Sequence, residues 1–216
     1  MTTLKKQTTA KIEAGRQANP EFMKKVDDII DQAKRFQQGS NAIEVGAKAP
    51  EFVLPDQQNK STILVDMLAK GPVVVTFYRG SWCPYCNLQL RALQARTADI
   101  QALGAELIAI SPQVPDGSMT QDEISAMNFI VLSDQDAIVA AQYGVAWRVP
   151  DFLLEHMRVD RQLDLEQLNN GNAHVLPIPA TFVINRDGTI TWRYVDVDYR
   201  TRSEPDDIIE ALRALA

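Results

Sequence analysis

The sequence predicts an α/β fold, with a central mixed β-sheet flanked by helices and a helical extension in front of it. Three observations lead to this prediction. An apolar run at 72–78 is followed by a helical pattern and a second apolar run at 106–110, which is typical of two parallel strands joined by a helix. Two later apolar runs flank a turn at 185–188 and indicate an antiparallel hairpin. The first 45 residues lack such strand patterns and favour helix.

The helical extension is expected at 1–45, and the main domain at 46–216. Asn19 is expected to cap a helix that begins at Pro20 and continues to Gly39. Its apolar positions recur at helical spacing: Phe22, Val26, Ile29, Ile30, Ala33 and Phe36. We expect this stripe to pack against the main domain, and a contact between two subunits is the alternative.

The elements of the main domain follow in order along the chain. Strands are predicted at 51–54, 61–64, 73–78, 106–110, 129–132, 181–184 and 189–195. Helices are predicted at 66–69, 85–103, 136–143 and 205–215. Ser203 is the expected cap of the last helix. One or two short helices are expected within an insertion at 147–172.

Charge and hydropathy restrict the function classes. The chain has 216 residues and a formal net charge of -6 at pH 7. An acidic protein repels polyanions, so neither nucleic acid nor an anionic membrane is expected as a partner. The start of the chain lacks the apolar core of a signal peptide, and no stretch reaches membrane-spanning length. A cytoplasmic protein is therefore expected, and in that compartment a close cysteine pair indicates catalysis or sensing.

Cys83 and Cys86 are the only cysteines, and they lie where a buried strand is predicted to give way to a helix. Unpaired amides and the dipole at a helix N-terminus favour thiolate over thiol. A disulfide across so short a loop adds little stability, so a structural disulfide is disfavoured. A metal site is disfavoured because His156 and His174 have no ligand spacing, and no cofactor is expected. The pair predicts redox chemistry over inert burial.

Several short segments carry a resemblance to a known family. They are VGAKAPEFVL (45–54), FYRGSWCPYC (77–86), IAISP (108–112), LSD (132–134), YGV (143–145) and IPATFVIN (178–185). Together they resemble the thioredoxin-like superfamily and, within it, the peroxiredoxin-like branch of alkyl hydroperoxide reductase and thiol-specific antioxidant proteins. The resemblance covers about residues 45–215. It implies a thioredoxin-like fold, a hydroperoxide or disulfide substrate and a thioredoxin-like reductant, and it leaves a homodimer open.

The cysteine motif combines two patterns within this superfamily. Peroxiredoxins carry a Pro-x-x-x-Thr-x-x-Cys string, which places Cys86 at the peroxide-attacking cysteine, Cys83 at the threonine and Arg79 at the proline. Thioredoxins carry Trp-Cys-x-x-Cys and a later proline, usually cis, and Trp82 and Pro179 match those features. The first overlay implies that Cys86 attacks and Cys83 resolves. The second implies that Cys83 is an exposed nucleophile and Cys86 the buried resolving thiol.

Activation of a peroxide needs a donor aimed at the developing charge on oxygen. The peroxiredoxin arginine that serves this role falls on Pro179 in this chain. Arg79 is the expected substitute because it is close in sequence to the cysteines, and Arg200 and Arg202 beyond the last strand are the alternatives. Trp82 and Pro179 are expected to bind the substrate.

The favoured hypothesis is a thiol-dependent peroxidase that cycles through a Cys83–Cys86 disulfide, which thioredoxin or a similar reductant reopens. One alternative is a thioredoxin-like protein disulfide reductase with little peroxidase activity, because exchange needs only an accessible thiolate, a second thiol and a groove. Another is a non-catalytic redox-sensing interaction protein in which the disulfide controls a binding surface, such as the stripe at 22–36. The sequence leaves open which cysteine attacks first.

Overall fold

The computed structural model describes residues 2–115 and 128–215. The strands over these residues are β1 (Val53–Pro55), β2 (Ser61–Ile63), β3 (Val73–Phe77), β4 (Glu106–Ser111), β5 (Ile130–Ser133), β6 (Ala146–Arg148), β7 (Val175–Pro177), β8 (Ala180–Ile184) and β9 (Ile190–Val195). The α-helices are α1 (Leu4–Ala18), α2 (Pro20–Arg35), α3 (Leu64–Leu68), α4 (Pro84–Gln94), α5 (Thr97–Ala102), α6 (Ile138–Gln142), α7 (Asp151–Glu155), α8 (Leu165–Leu168) and α9 (Pro205–Arg213). A π-helical turn, His156–Asp160, follows α7 directly.

The central sheet has five strands in the order β5-β4-β3-β8-β9. β3, β4 and β5 are parallel, while β8 is antiparallel to β3 and β9 is antiparallel to β8. This confirms the predicted mixed sheet, the parallel pair and the late hairpin. Two small antiparallel sheets, β1 with β2 and β6 with β7, lie outside the central sheet.

The register of the sheet determines which loops meet. Phe77 at the end of β3 is paired with Ala180 at the start of β8, and Ala180 is paired with Val195 at the end of β9. The C-terminal ends of β3 and β9 therefore lie at the same edge of the sheet. The turn after β3, which holds both cysteines, and the loop after β9 meet at that edge.

β3 is buried along its whole length because both faces of the sheet are covered. Alternate residues point to opposite faces of a strand. Val75 and Phe77 belong to one apolar layer, which also contains Tyr143, whereas Val74 belongs to the opposite layer beneath α4, α5 and α9. Burial of apolar surface on both sides stabilises the strand that precedes the cysteines.

Two helices precede the sheet. Thr3 caps α1 through its hydroxyl, which accepts a hydrogen bond from the Lys6 amide. Asn19 caps α2, because its side-chain oxygen accepts a hydrogen bond of 3.1 Å from the Phe22 amide, and the predicted cap is confirmed. α2 ends at Arg35, earlier than the predicted end at Gly39.

The apolar stripe of α2 packs against its own chain. Val26 and Ile30 are 1% and 4% exposed and contact a third apolar cluster that includes Leu153 and Leu176. At the end of the stripe Phe36 is 71% exposed. The favoured packing against the main domain is therefore observed for the central part of the stripe.

The helix predicted at 85–103 is interrupted in the structure. α4 ends at Gln94, and α5 begins at Thr97. The Thr97 hydroxyl donates to the Leu93 carbonyl at 3.0 Å, a local bond that competes with a continuous helix. The prediction of one uninterrupted helix is wrong here.

Two further predictions about local structure are wrong. Ser203 does not cap α9, because its hydroxyl is hydrogen-bonded to Thr181 Oγ1 at 3.2 Å and Glu204 precedes the helix. The insertion at 147–172 contains α7 and α8 as expected, but β6 and β7 on either side of it were not predicted. Each of these strands has three residues, too few to show a period of two.

Candidate active site

The turn between β3 and α4 places both cysteines at the start of a helix. Cys83 is the N-cap of α4 and Pro84 is its first residue, so Cys86 lies in the first turn. Gly80 has φ of +146°, and a Cβ at this position would lie 2.3 Å from Trp82 Nε1. Glycine is therefore required for the turn to fold back against the tryptophan.

Hydrogen bonds from a neighbouring loop fix this turn. The amide and the hydroxyl of Ser81 both donate to Gln113 Oε1, at 2.8 and 2.9 Å. The Asn87 side chain of α4 donates to the Ser81 carbonyl at 2.7 Å. The turn is therefore tied both to the helix that follows it and to the segment after β4.

The Cys86 sulfur is surrounded by donors. Arg202 Nη2 lies 3.3 Å from Cys86 Sγ, and the backbone N–H of Arg79 lies at 3.5 Å. Burial raises the pKa of Cys86, but the hydrogen bond with Cys83, the charge of Arg202, and the amide and charge of Arg79 together lower it to about 5. Cys86 is therefore a thiolate at neutral pH.

Cys83 has the opposite protonation state. Burial raises the pKa of its thiol well above the usual range, and the hydrogen bond with Cys86 and the charge of that thiolate act in the same direction. The two cysteines are 1% and 0% exposed, and both are free thiols. The thioredoxin overlay predicted that Cys83 is exposed, and it is buried instead.

Arg79 is held between two aromatic rings. Its guanidinium carbon lies 4.2 Å from the centroid of Tyr199 and 5.2 Å from that of Trp82, distances at which a cation is attracted to a ring face. The side chain is 3% exposed, and within the described ranges its Nε and Nη2 have no hydrogen-bond acceptor. Two buried donors are thus available to an oxygen that enters the site.

Arg202, an alternative to Arg79 in the sequence analysis, is the arginine whose guanidinium lies at the Cys86 sulfur. Besides the contact with Cys86, its Nη1 donates to the carbonyls of Tyr199 and Thr201. Its side chain is buried. The order of the strands could have indicated this role of Arg202, because β9 ends at the same edge of the sheet as β3.

Arg200 does not reach the cysteines. Its Nε lies 2.8 Å from Asp198 Oδ1, and its Nη1 lies 2.7 Å from Asp27 Oδ1 on α2. This arginine therefore joins the loop after β9 to the N-terminal helices. Tyr199, between Asp198 and Arg200, is the ring that supports Arg79, and sequence reasoning missed it.

Trp82 and Pro179 were predicted to bind the substrate. Trp82 lines a cavity beside Cys83. Pro179 is buried, and its peptide bond with Ile178 is trans, so the cis proline expected from thioredoxins is not formed. The substrate-binding roles of both residues stay predictions.

The structure gives no sign of a metal centre in the residues that it describes. Among them, no cluster of three or more His, Cys, Asp or Glu side chains could hold an ion. His156 instead lies 2.6 Å from Asp160 and stacks on Phe22 with 3.8 Å between ring centroids. Within the same residues, no helix is both long and apolar enough to cross a membrane.

Comparison with known proteins identifies the family of the chain. The sequence model described as the AhpC/TSA family matches residues 45–193. The chain belongs to the AhpC/TSA family. The match begins after α2 and ends within β9, so the N-terminal helices and the loop with Tyr199 and Arg202 lie outside it.

Two curated relatives are similar to most of this chain. The putative peroxiredoxin bcp of Haemophilus influenzae is 31% identical over 81% of this chain and 99% of its own length. Peroxiredoxin Bcp of Escherichia coli K12 is 27% identical over 80% of this chain and 97% of its own length.

Solved structures show the same fold. Peroxidoxin BcpB from Mycobacterium tuberculosis superposes with a TM-score of 0.61 at 22% identity, over 81% of this chain and 99% of that one. Reduced Prx3 from Vibrio vulnificus, solved in complex with hydrogen peroxide, gives 0.60 at 16% identity, over 79% of this chain and 99% of that one. The predicted thioredoxin-like fold is confirmed.

Proposed function

We propose that this AhpC/TSA family protein is a thiol-dependent peroxidase that reduces hydroperoxides through a Cys83–Cys86 disulfide. The observation that carries the proposal is the Cys86 thiolate, which Arg202 contacts at 3.3 Å while Arg79 offers unpaired donors nearby. The similarity to proteins named peroxiredoxins supports it.

In the first step the Cys86 thiolate attacks one oxygen of the hydroperoxide. The O–O bond breaks, Cys86 becomes a sulfenic acid, and the second oxygen leaves as an alcohol or water after gaining a proton. Negative charge develops on the leaving oxygen. The free N–H groups of Arg79 are donors within the site that could stabilise this charge.

In the second step Cys83 resolves the sulfenic acid. Its sulfur attacks Cys86 Sγ, water leaves, and the disulfide forms. Cys83 is the N-cap of α4 and Cys86 lies in the first turn of the same helix, so no segment has to move far for this step. Two electrons and two protons from thioredoxin or a similar dithiol reductant then restore both thiols.

Two observations favour this reading over a protein disulfide reductase. A disulfide reductase would need Cys83 as its ionised nucleophile, but burial raises the pKa of this thiol well above the usual range. The low pKa belongs to Cys86, the cysteine that the peroxiredoxin overlay makes the nucleophile. The redox-sensing alternative loses its main support, because the centre of the 22–36 stripe is buried.

We further propose that the chain is divided as the sequence suggests, into an N-terminal helical extension at 1–45 and a thioredoxin-like domain at 46–216. The start of the family match at residue 45 supports this boundary. The extension is packed on the domain through α1 and α2, and it contributes walls to the cavity beside Cys83.

The test is a rapid-mixing measurement at pH 7. The fully reduced protein is mixed with hydrogen peroxide, and the loss of its two thiols is followed in time against a free thiol compound. We expect the protein thiols to be lost much faster than the free thiol compound, and we expect no such fast loss in Cys86→Ser. Equal rates for protein and free thiol would refute the peroxidase.

A further inference from the structure

A cavity of about 500 Å³ lies between the N-terminal helices and the cysteine turn. α1 and α2 form one side, the segment from Leu153 to Leu163 forms another, and Trp82 and Tyr199 lie near the floor. This volume is within the range of about 300–1,000 Å³ that small-molecule sites occupy. The α1 and α2 walls lie outside the segment that matches the AhpC/TSA family.

The two cysteines differ in their access to this cavity. Cys83 is among the lining residues, together with Arg79 and Pro84, while Cys86 is not and is 0% exposed. A ligand in the cavity therefore meets Cys83 first. In the proposed cycle Cys83 is the sulfur that a reductant attacks, because Cys86, with the lower pKa, is the better leaving group.

The walls indicate what kind of reductant fits. They are apolar and rich in thioether and aromatic groups, including Phe22, Met23 and Met157. Two exposed cations, Lys11 and Arg161, line the same cavity, and neither has an ion-pair partner among the described residues. In a chain with a net charge of -6, two unpaired cations at one cavity favour an acidic group.

We propose that this cavity binds a small dithiol with an apolar chain and an acidic tail, which reduces the Cys83–Cys86 disulfide directly. The inference rests on the proposed function, since it assigns the reductant of the same cysteine pair. The dithiol end lies at Cys83, the chain lies along the apolar walls, and the carboxylate pairs with Lys11 and Arg161.

The reaction balances in two steps. One thiolate of the ligand attacks Cys83 Sγ, the Cys83–Cys86 bond breaks, and Cys86 leaves as a thiolate. The second thiolate of the ligand then attacks the first ligand sulfur, which is bonded to Cys83 in the mixed disulfide. This step releases Cys83 and closes a cyclic disulfide within the ligand. The ligand loses two electrons and two protons. The protein gains the electrons, Cys83 takes one proton to become a thiol, and the other proton goes to solvent because Cys86 stays a thiolate.

The experiment uses dihydrolipoate, its neutral amide and dithiothreitol as probes. The protein is first oxidised with diamide, so that formation of the disulfide does not depend on peroxidase activity. The return of both thiols is then timed. Dihydrolipoate is expected to react on the order of tenfold faster than dithiothreitol, because several methylene groups enter the cavity.

The cations are tested with matched variants. Lys11→Ala and Arg161→Ala should each slow reduction by dihydrolipoate by roughly two- to fivefold, as expected for a partly exposed ion pair, and leave the amide unaffected. Lys6→Ala on α1 and Arg158→Ala on the π-helical turn are controls, since both side chains lie outside the cavity lining.

Three outcomes would overturn the inference. Dihydrolipoate could be no faster than dithiothreitol, or Lys11→Ala and Arg161→Ala could behave like the controls. In the third outcome, Lys11→Ala and Arg161→Ala would slow the reaction with a carboxylate-bearing alkyl hydroperoxide and leave reduction by the dithiol unchanged. The cavity would then bind the peroxide. If the reduced protein reacts with no peroxide but dihydrolipoate still reduces the diamide-oxidised protein as expected, the proposed function is refuted and this inference is not.

Discussion

Asp27 of α2 and Arg200 of the loop after β9 form an ion pair of 2.7 Å, and the Arg200 side chain is only 5% exposed. Arg200 also contacts Asp198 at 2.8 Å. The same loop supplies Tyr199, which supports Arg79, and Arg202, which contacts Cys86. The N-terminal helices are thus connected to the cysteine site through a loop that lies, like them, outside the family match.

Replacement of Asp27 by Asn is expected to act on the site at a distance. The loop would lose its charged anchor on α2, so Arg202 would be held less firmly at Cys86 and the pKa of Cys86 would rise. The unfolding free energy should fall by about 1 kcal/mol, since the Asp27 side chain is 33% exposed. The rate of Cys86 alkylation as a function of pH measures the pKa.

Asp28→Asn is the matched control for this prediction. Asp28 lies beside Asp27 on α2, but it pairs with Lys24, and both side chains are largely exposed. Its replacement should leave the alkylation profile unchanged. An Asp27→Asn profile that coincides with the parent would show that the loop keeps Arg202 in place without α2.

Arg202→Gln is expected to raise the pKa of Cys86 by about 1–3 pH units, because a positive charge is removed from its immediate surroundings. Arg202→Lys should keep part of the effect, since it restores the charge without the planar donor group. Arg213→Gln, at an exposed position of α9, is the control. The midpoint of thiolate absorbance against pH distinguishes these variants.

The two cysteines should respond differently to substitution. Cys86→Ser is expected to abolish peroxide consumption. Cys83→Ser should consume one equivalent and accumulate a sulfenic acid at Cys86, because the resolving sulfur is absent. Mass spectrometry after labelling with a sulfenic acid reagent checks both. Labelling confined to Cys83 in the parent chain would reverse the proposed roles.

The stability of the reduced protein should depend on pH through Cys86. Its pKa of about 5 in the folded state is below the value of about 8.5 for an unfolded chain. A group of this kind contributes stability that is fully present above the unfolded pKa and is lost as pH falls through the folded pKa. The Cys86 contribution should therefore increase from about pH 5 to pH 8.5.

Urea unfolding midpoints of the reduced protein at pH 5, 6.5 and 8 provide the measurement. Cys86→Ser removes the titrating group, so the increase in stability with pH should be smaller in this variant than in the parent. Parallel curves for the two proteins would mean that Cys86 has a similar pKa in the folded and unfolded states.

Arg79→Met should slow peroxide reduction even when Cys86 is fully ionised. The variant keeps the apolar contacts with Tyr199 but removes the unpaired N–H groups, and loss of one such donor costs about 10²–10³ in rate in other enzymes. The backbone N–H of residue 79 still reaches Cys86. Rates measured well above the pKa of the variant isolate this effect, and equal rates there would leave Arg79 without a role at oxygen.

Much of the fold could be predicted because its signals are local. The buried strand, the cysteine turn and the helix after it are adjacent in sequence, and the Asn19–Pro20 pair marks the start of α2. Hydrophobic periodicity predicts a helix or a strand from residues within a single element. The mixed sheet followed from the order of these elements along the chain.

The rest of the site depends on contacts between distant residues. Arg202 and Cys86 are separated by 116 positions, and no spacing in the sequence relates them. Arg79 is close to the cysteines in sequence, but its guanidinium is turned towards Tyr199 and Trp82. Ser203 has the right residue type for a helix cap, yet its hydroxyl bonds to Thr181 across the sheet edge. Tertiary contacts decided all three cases.

The position of Cys83 at the cap of the helix that contains Cys86 has a consequence for damage by excess oxidant. A sulfenic acid that waits for its partner can react with a second peroxide and become sulfinic acid, which is irreversible for most proteins. Here the partner thiol lies within one helical turn of Cys86, so disulfide formation competes from the start. The enzyme should therefore survive peroxide concentrations that would inactivate a thiol peroxidase whose two cysteines start far apart.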